Sequence, residues 1–270
     1  VCGDIRNPDC VKSALKNIDV IFHLAALIGI PYSYSSPDSY VDTNIKGTVN
    51  MLQAARELAI ERFVQTSTSE IYGTAQKVPI AEDHPINPQS PYAASKSAAD
   101  AMAISFFRSF GLPVTVVRPF NTYGPRQSNR AIIPTIITQL LGKTGTVKIG
   151  SLFPTRDFTY VRDIVEGFMR AAECDDAVGQ VINLGSNSEI SVRDLIVLIS
   201  GIIGVKPKII TDDKRKRPAS SEVERLRADN ARAKKILGWK PEYSLSRGLK
   251  STIDWFKAHK DLYKSDMYNV

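Results

Sequence analysis

The chain has 270 residues, 43% of them hydrophobic and 23% charged, enough apolar material for a sizeable core and too much for wholesale disorder. No run of about 18 uninterrupted apolar residues occurs, which excludes an ordinary transmembrane helix, and Cys2, Cys10 and Cys174 are too few and too scattered for a disulfide framework or a zinc site. The net charge of +7 is local: from Lys206 to Lys250 there are 14 Lys/Arg against 6 Asp/Glu, so the remainder sums to −1, which argues for a local anion site or a solvated basic face and against a nucleic-acid coat.

A soluble, intracellular globular protein of one large domain or two small ones is expected. The chain opens Val1-Cys-Gly-Asp-Ile-Arg6 with no initiator Met and no targeting pattern. Because residues ahead of Val1 can be missing from the sequence, the lack of a signal peptide carries little weight.

Short apolar runs alternate with helical ones. Residues 19–23 and 62–67 read as buried strands with a helix over 37–58 between them; a helix over 92–110 and a strand over 113–118 follow. Strands bounded by turns and separated by long helices predict βαβ units on a parallel sheet, with right-handed crossovers and ligands beyond the carboxyl ends of the strands. After Pro119 the rhythm loosens into helices at 131–141, 161–172 and 191–201, strands at 147–149 and 181–184, and further helices at 230–237 and 244–259. The expected class is α/β: a Rossmann-like doubly wound parallel sheet over 1–120, then a smaller substrate lobe over 121–270, partly interleaved with it.

The sharpest local pattern is Tyr92-Ala-Ala-Ser-Lys96. At i and i+4 on a helix the phenol and the ammonium project from one face. A cation beside a phenol favours the phenolate, lowering its pKa toward neutrality so that it can serve as a base; an ordinary exposed Tyr/Lys pair has the same spacing. Ser67-Thr-Ser-Glu-Ile-Tyr-Gly73 follows a strand directly, at the edge where such folds place chemistry. Its hydroxyls could hold a substrate hydroxyl and Glu70 could act as a base, or the segment is a Ser/Thr-rich turn with a solvated Glu. His23-Leu-Ala-Ala26 ends a strand in small residues that admit a flat ligand or simply pack a helix.

The run Lys214-Arg-Lys-Arg217 reads as a solvated basic turn or as a source of phosphate-binding arginines, whose planar forks bond phosphate oxygens in pairs. No aromatic platform accompanies it, so nucleic acid is not an expected partner. His23, His84 and His259 are too dispersed for a metal site, and Trp239 and Trp255 read as packing residues.

In order along the chain stand Gly3-Asp-Ile-Arg6, His23-Leu-Ala-Ala26, Asn44-Ile-Lys-Gly-Thr48, Ser67-Thr-Ser-Glu-Ile-Tyr-Gly73, Tyr92-Ala-Ala-Ser-Lys96, Arg118-Pro-Phe-Asn-Thr-Tyr-Gly-Pro-Arg126 and Arg156-Asp-Phe-Thr-Tyr-Val-Arg-Asp163. With these pieces the sequence resembles the extended short-chain dehydrogenase/reductases that modify nucleotide sugars. The resemblance implies NAD as cofactor, a nucleotide-sugar substrate, a cytoplasmic location away from the membrane, and a homodimer through the 44–58 and 92–110 helices. It places Thr68, Ser69, Glu70, Tyr92 and Lys96 in catalysis. Asp4 and Ile5 would meet the adenine, with Leu24, Ala25, Ala26, Asn44, Tyr92, Lys96 and Phe120 also at the cofactor. Asn121, Arg156 and Arg217 would hold the sugar diphosphate, with Arg126 or Arg130 beside them.

The same resemblance marks a departure. The family begins with a glycine-rich strand–turn–helix whose backbone amides hold the dinucleotide pyrophosphate. No such motif stands in this sequence, and Gly3-Asp4-Ile5 corresponds to the end of the family's third strand, so the chain as given is expected to bind NAD poorly and to be a fragment of a competent enzyme.

Thr68-Ser69-Glu70 resembles the triplet of the sugar 4,6-dehydratases, which are hydro-lyases. Some of these have Asp in place of Ser69, the GDP-mannose branch has Ser, UDP-glucuronate decarboxylases also carry Thr-Ser-Glu, and most 4-epimerases lack the glutamate. The stretches 23–44 and 118–134 are similar to bacterial UDP-N-acetylglucosamine 4,6-dehydratases of the legionaminate type, which implies a role in cell-surface polysaccharide biosynthesis. UDP-glucuronate decarboxylase, 4-epimerase and a non-catalytic dinucleotide-sensing or scaffold protein remain the alternatives.

Overall fold

In the computed structural model, which describes residues 1–142 and 145–263, Asn7 opens the first helix, α1 (Pro8–Ala14). Its side chain accepts from the amides of Asp9 and Cys10, and Pro8 sits where no amide is needed. Then come β1 (Val20–His23), α2 (Ile30–Ser35), α3 (Pro37–Tyr40), a π-helical segment Val41–Lys46 and α4 (Gly47–Glu57). The helix expected over 37–58 is therefore a run whose middle is widened by a π turn, a feature that re-aims side chains; this one carries Asn44.

The first half closes with β2 (Arg62–Thr66), a 3-10 turn at Ser69–Tyr72, α5 (Pro91–Phe110) and β3 (Val114–Pro119). Ser90 caps α5 through a bond from the Ala93 amide, and Gly111 ends it in the left-handed conformation. The second half contains β4 (Asn121–Tyr123), α6 (Ile132–Leu140), β5 (Thr146–Ile149), β6 (Thr155–Arg156), β7 (Phe158–Tyr160), α7 (Val161–Glu173), β8 (Val181–Leu184), β9 (Ile190–Ser191), α8 (Val192–Ile203), β10 (Lys208–Thr211), α9 (Ala231–Leu237) and α10 (Leu245–Ala258). β4, β6, β7, β9 and β10 have no counterpart in the sequence expectation; they are too short for alternation to show.

The main sheet has the order β1-β2-β3-β8 and is parallel throughout. Successive strand residues face opposite sides: Phe63 packs with Leu52, Ala103 and Phe106 under α4 and α5, whereas Val64 packs with Ile164, Phe168 and Trp239 under α7 and α9. With both faces covered, β2 and β3 read as continuous apolar runs rather than alternating ones. β8, from beyond residue 120, supplies one edge of this sheet.

A separate apolar cluster gathers Ile136 of α6, Val147 of β5, Ile196 of α8 and Ile253 of α10. Around it β5 pairs with β10, β4 with β7, and β6 antiparallel with β9. Gly3–Ile5, expected as a strand end, is irregular instead, with the Asn7 amide bonded to the Asp4 carbonyl. No helix among the described residues is long and apolar enough to cross a membrane.

Candidate active site

β2 stops at Thr66 because the chain turns at its carboxyl end: Thr68, extended, caps the 3-10 turn by accepting from the Glu70 amide at 3.2 Å. Gly73 closes the turn at φ 63° and ψ −157°, a region essentially reserved for glycine. Thr68, Ser69 and Glu70 are all buried. Across from them, the first turns of α5 bring Tyr92 and Lys96 inward, also buried. The Tyr92 phenol hydrogen-bonds with Thr68 and its ring meets Tyr40 edge-on at 6.3 Å. The five residues expected to be catalytic thus converge at the carboxyl end of β2.

The charge state differs from the sequence expectation. The Tyr92 phenol is held above the ordinary tyrosine range, not lowered toward neutrality: burial dominates, the Thr68 hydrogen bond opposes it, and the Glu70 charge adds to it. Lys96 is not among the groups that shift the phenol; its ammonium donates to the Thr66 carbonyl at 2.5 Å. Burial pulls Lys96 itself down, against the countering charge of Asp100.

Asn44 bridges the neighbouring elements. Its amide accepts from the Leu27 amide at 2.8 Å and donates to the Leu27 carbonyl and to Ser95 Oγ. The loop leaving β1 is thereby tied to α5, with Leu24 and Ala25 exposed on its outer side. Phe120 is buried and stacks on Tyr72. Asp4 is exposed and gripped by the Arg6 guanidinium, which pulls its carboxyl down to about 2, while the Ile5 carbonyl accepts from Asn50.

Of the residues expected at the diphosphate, Arg156 and Arg217 come together with Glu70. Arg156 Nη2 lies 3.3 Å from Glu222 Oε1; Arg217 Nη1 lies 3.8 Å from the same oxygen and 3.7 Å from Glu70 Oε2. That Nη1 is buried and makes no hydrogen bond, only the two longer ion pairs with Glu70 and Glu222. Burial lowers the Arg156 pKa, with Glu70 opposing and Arg217 reinforcing the shift. Asn121 Oδ1 is likewise buried and unpartnered. Arg126 is exposed at φ 66° and forms no ion pair among the described residues.

Sequence reasoning missed Ser67 as an individual contact, Asp100, Arg118 and Glu222. Asp100 had a signal, a carboxylate at i+4 from Lys96 on the inward stripe of α5. Glu222 had none, since it is made relevant only by chain segments 66 residues apart.

A family model described as GDP-mannose 4,6 dehydratase matches residues 1–252. The chain is 35% identical over 243 residues to the UDP-glucose 4-epimerase of Mycolicibacterium smegmatis, covering 88% of this chain and 76% of that protein. It is 33% identical over 260 residues to the dTDP-glucose 4,6-dehydratase of Streptomyces antibioticus, covering 96% and 76%. The fold superposes on DesIV, the dTDP-glucose 4,6-dehydratase of Streptomyces venezuelae solved with NAD bound, with a TM-score of 0.89 and 28% identity over 97% of this chain and 80% of that one. The protein belongs to the GDP-mannose 4,6-dehydratase family, within the NAD-dependent nucleotide-sugar epimerases and dehydratases of short-chain dehydrogenase/reductase type. The α/β fold with its parallel sheet is the Rossmann-type fold of those enzymes.

Proposed function

We propose that the protein is a nucleotide-sugar 4,6-dehydratase, a hydro-lyase acting on UDP-N-acetylglucosamine. The observation that carries this reading is the Glu70 carboxylate: it is buried beside the Thr68–Tyr92 pair, where a 4-epimerase, reacting only at C4, has no use for a second base. The described residues fit the reacting half of a bound NAD. Thr66 Oγ1 is a buried polar atom without a hydrogen bond next to the lysine contact, and Ala25 beyond the end of β1 is exposed.

Bound NAD would supply a hydride acceptor at sugar C4 and a hydride donor at C6, and its ring charge would favour the Tyr92 phenolate that burial resists. Tyr92 takes the proton of the C4 hydroxyl, with Thr68 holding that oxygen in line. The C4 ketone acidifies the C5 proton, which Glu70 removes. The C6 hydroxyl leaves as water with the proton that Glu70 took from C5, relayed through Ser69, whose own hydroxyl is too weak an acid to be the source. Arg156 and Arg217 hold the diphosphate bidentately. Asp4, Ile5, Leu24, Asn44 and Phe120 line the dinucleotide side, Asn121 and Arg126 the sugar-nucleotide side, and a homodimer forms through the outer faces of the 44–58 and 92–110 helices.

Proton NMR of the full-length enzyme with NAD and UDP-N-acetylglucosamine in heavy water tests the reading. A new C6 methyl signal with deuterium at C5 is expected, and Glu70→Gln should still oxidise C4 but form no methyl. Full methyl formation by that variant would remove Glu70 as the C5 base. A uronate substrate is favoured by one observation, the Arg217 Nη1 that makes no hydrogen bond and lies 3.7 Å from Glu70, where a C6 carboxylate would displace the longer ion pairs. Release of carbon dioxide from UDP-glucuronate, with no methyl from the neutral sugar, would select that alternative.

A further inference from the structure

One turn beyond Lys96, α5 points a further charged side chain into the interior. Asp100 Oδ2 accepts from Ser67 Oγ at 2.6 Å and from Arg118 Nε at 3.1 Å. Its other oxygen is buried and has no hydrogen-bond partner. Arg118 continues the network, donating to the Tyr72 hydroxyl at 2.9 Å, which donates to Asn183 Oδ1 at 2.8 Å. All of these groups are shielded from water, where charges interact strongly and an unbalanced one is costly.

Two connections lead from this carboxylate to the reacting groups. Ser67 is the residue immediately before Thr68, so its bond to Asp100 pins the end of β2 against α5. Lys96 sits one helical turn away and takes Asp100 as its opposing charge. We propose that Asp100 is a positioning residue for the reaction: it fixes Ser67, and with it Thr68, and it supplies a buried negative charge against which both Lys96 and Arg118 are balanced. The proposal rests on the reading of Tyr92 and Lys96 as catalytic.

The groups facing Tyr92 and Lys96 are Asp100 on α5, His23 on β1, the Thr66 carbonyl on β2, Thr68 and Glu70 at the 3-10 turn and Tyr40 on α3, with Arg118 on β3 facing Asp100. Removing the Asp100 charge withdraws support from the Lys96 ammonium and repulsion from the Tyr92 phenolate. Both groups then titrate at lower pH. A purely structural loss would reduce the rate and leave both midpoints where they were.

The test follows the Lys96 ε-methylene NMR resonance, assigned by its disappearance in Lys96→Met, through a pH titration of the full chain without nucleotide. Asp100→Asn should move the Lys96 midpoint down by on the order of one pH unit, and Asp100→Glu should restore it. In the NAD-supplied enzyme the pH–rate profile of Asp100→Asn should move acidward as a whole. A folded Asp100→Asn whose Lys96 midpoint is unchanged overturns the proposal. Should that variant fail to fold, Ser67→Ala removes the hydrogen bond to Asp100 and leaves both charges in place: kcat should fall and Ser67→Thr should restore it, and the parent's kcat in Ser67→Ala overturns the proposal equally. The titration needs no sugar, so a displaced midpoint without any C6 methyl product would sink the dehydratase reading alone.

Discussion

His23 shows how one buried side chain ties stability to pH. Its Nε2 lies 3.0 Å from Thr48 Oγ1, and burial, with the nearby Lys96 charge, pulls its pKa down to about 3. The folded chain therefore keeps the imidazole neutral where the unfolded chain, with an ordinary value near 6.5, would take up a proton. Stability conferred by the neutral ring is complete above about pH 6.5 and is lost as the pH falls toward about 3, with a slope of at most about 1.4 kcal/mol per pH unit. Urea midpoints measured across that window should fall less steeply for His23→Gln than for the parent; equal slopes would mean that His23 is not the group responsible. The same burial explains why Tyr92 departs from the sequence expectation. Spacing on a helix shows that a lysine shares its face with the phenol, but not that the lysine will be directed at a carbonyl of β2.

Among the elements, the 3-10 turn at Ser69–Tyr72 carries Glu70, and its geometry depends on Gly73. A Cβ at that position would stand 2.3 Å from the Asn87 carbonyl oxygen, and the backbone conformation is unfavourable for any other residue. Gly73→Ala should cost about 1–3 kcal/mol of stability from the backbone alone, read as a lowered thermal midpoint, and should move Glu70 enough to depress turnover further than stability explains. A variant with the parent's midpoint and rate would show the turn to be more pliable than its contacts indicate. The strand followed by a Ser/Thr-rich turn was visible in the sequence. The π turn at Val41–Lys46 was not, because periodicity over 37–58 is nearly the same for a straight helix and for one widened at Asn44.

Across the whole molecule, the site is completed by a segment distant in sequence. Arg217 lies in the loop after β10, and that loop is latched over the β2 end by Gln89. Gln89 Oε1 accepts from the Thr74 amide at 2.5 Å, its Nε2 donates to the Ser220 carbonyl at 2.9 Å, and Ser221 Oγ also bonds to Tyr34 at 2.6 Å. If Arg217 holds the substrate's anionic group, Arg217→Ala should raise KM by roughly tenfold to a hundredfold, the worth of a charge-assisted hydrogen bond. Gln89→Ala should raise KM in the same direction by less, through a loosened loop. Steady-state kinetics decides: a fall in kcat with KM unchanged would assign Arg217 to the chemical step instead. The local excess of basic residues in 206–250 was plain from composition, yet most of those side chains are solvated, and it is the folding of the loop that brings Arg217, and not Lys214 or Lys216, to Glu70.

What the sequence by itself determined is the alternation of strands and helices, the parallel sheet, and the family to which Tyr92-Ala-Ala-Ser-Lys96 and Thr68-Ser69-Glu70 belong. These are local properties: apolar period, turn residues and helical spacing act over a few residues and need no partner from elsewhere. Only the tertiary structure decided that β8 joins the first sheet, that Asp100 meets Ser67 and Arg118, and that Arg217 stands between Glu70 and Glu222. Those contacts join residues far apart in the chain, and the burial they create sets the protonation of Tyr92 and Lys96. Desolvation is a property of the packed interior, so it has no trace in the order of the residues.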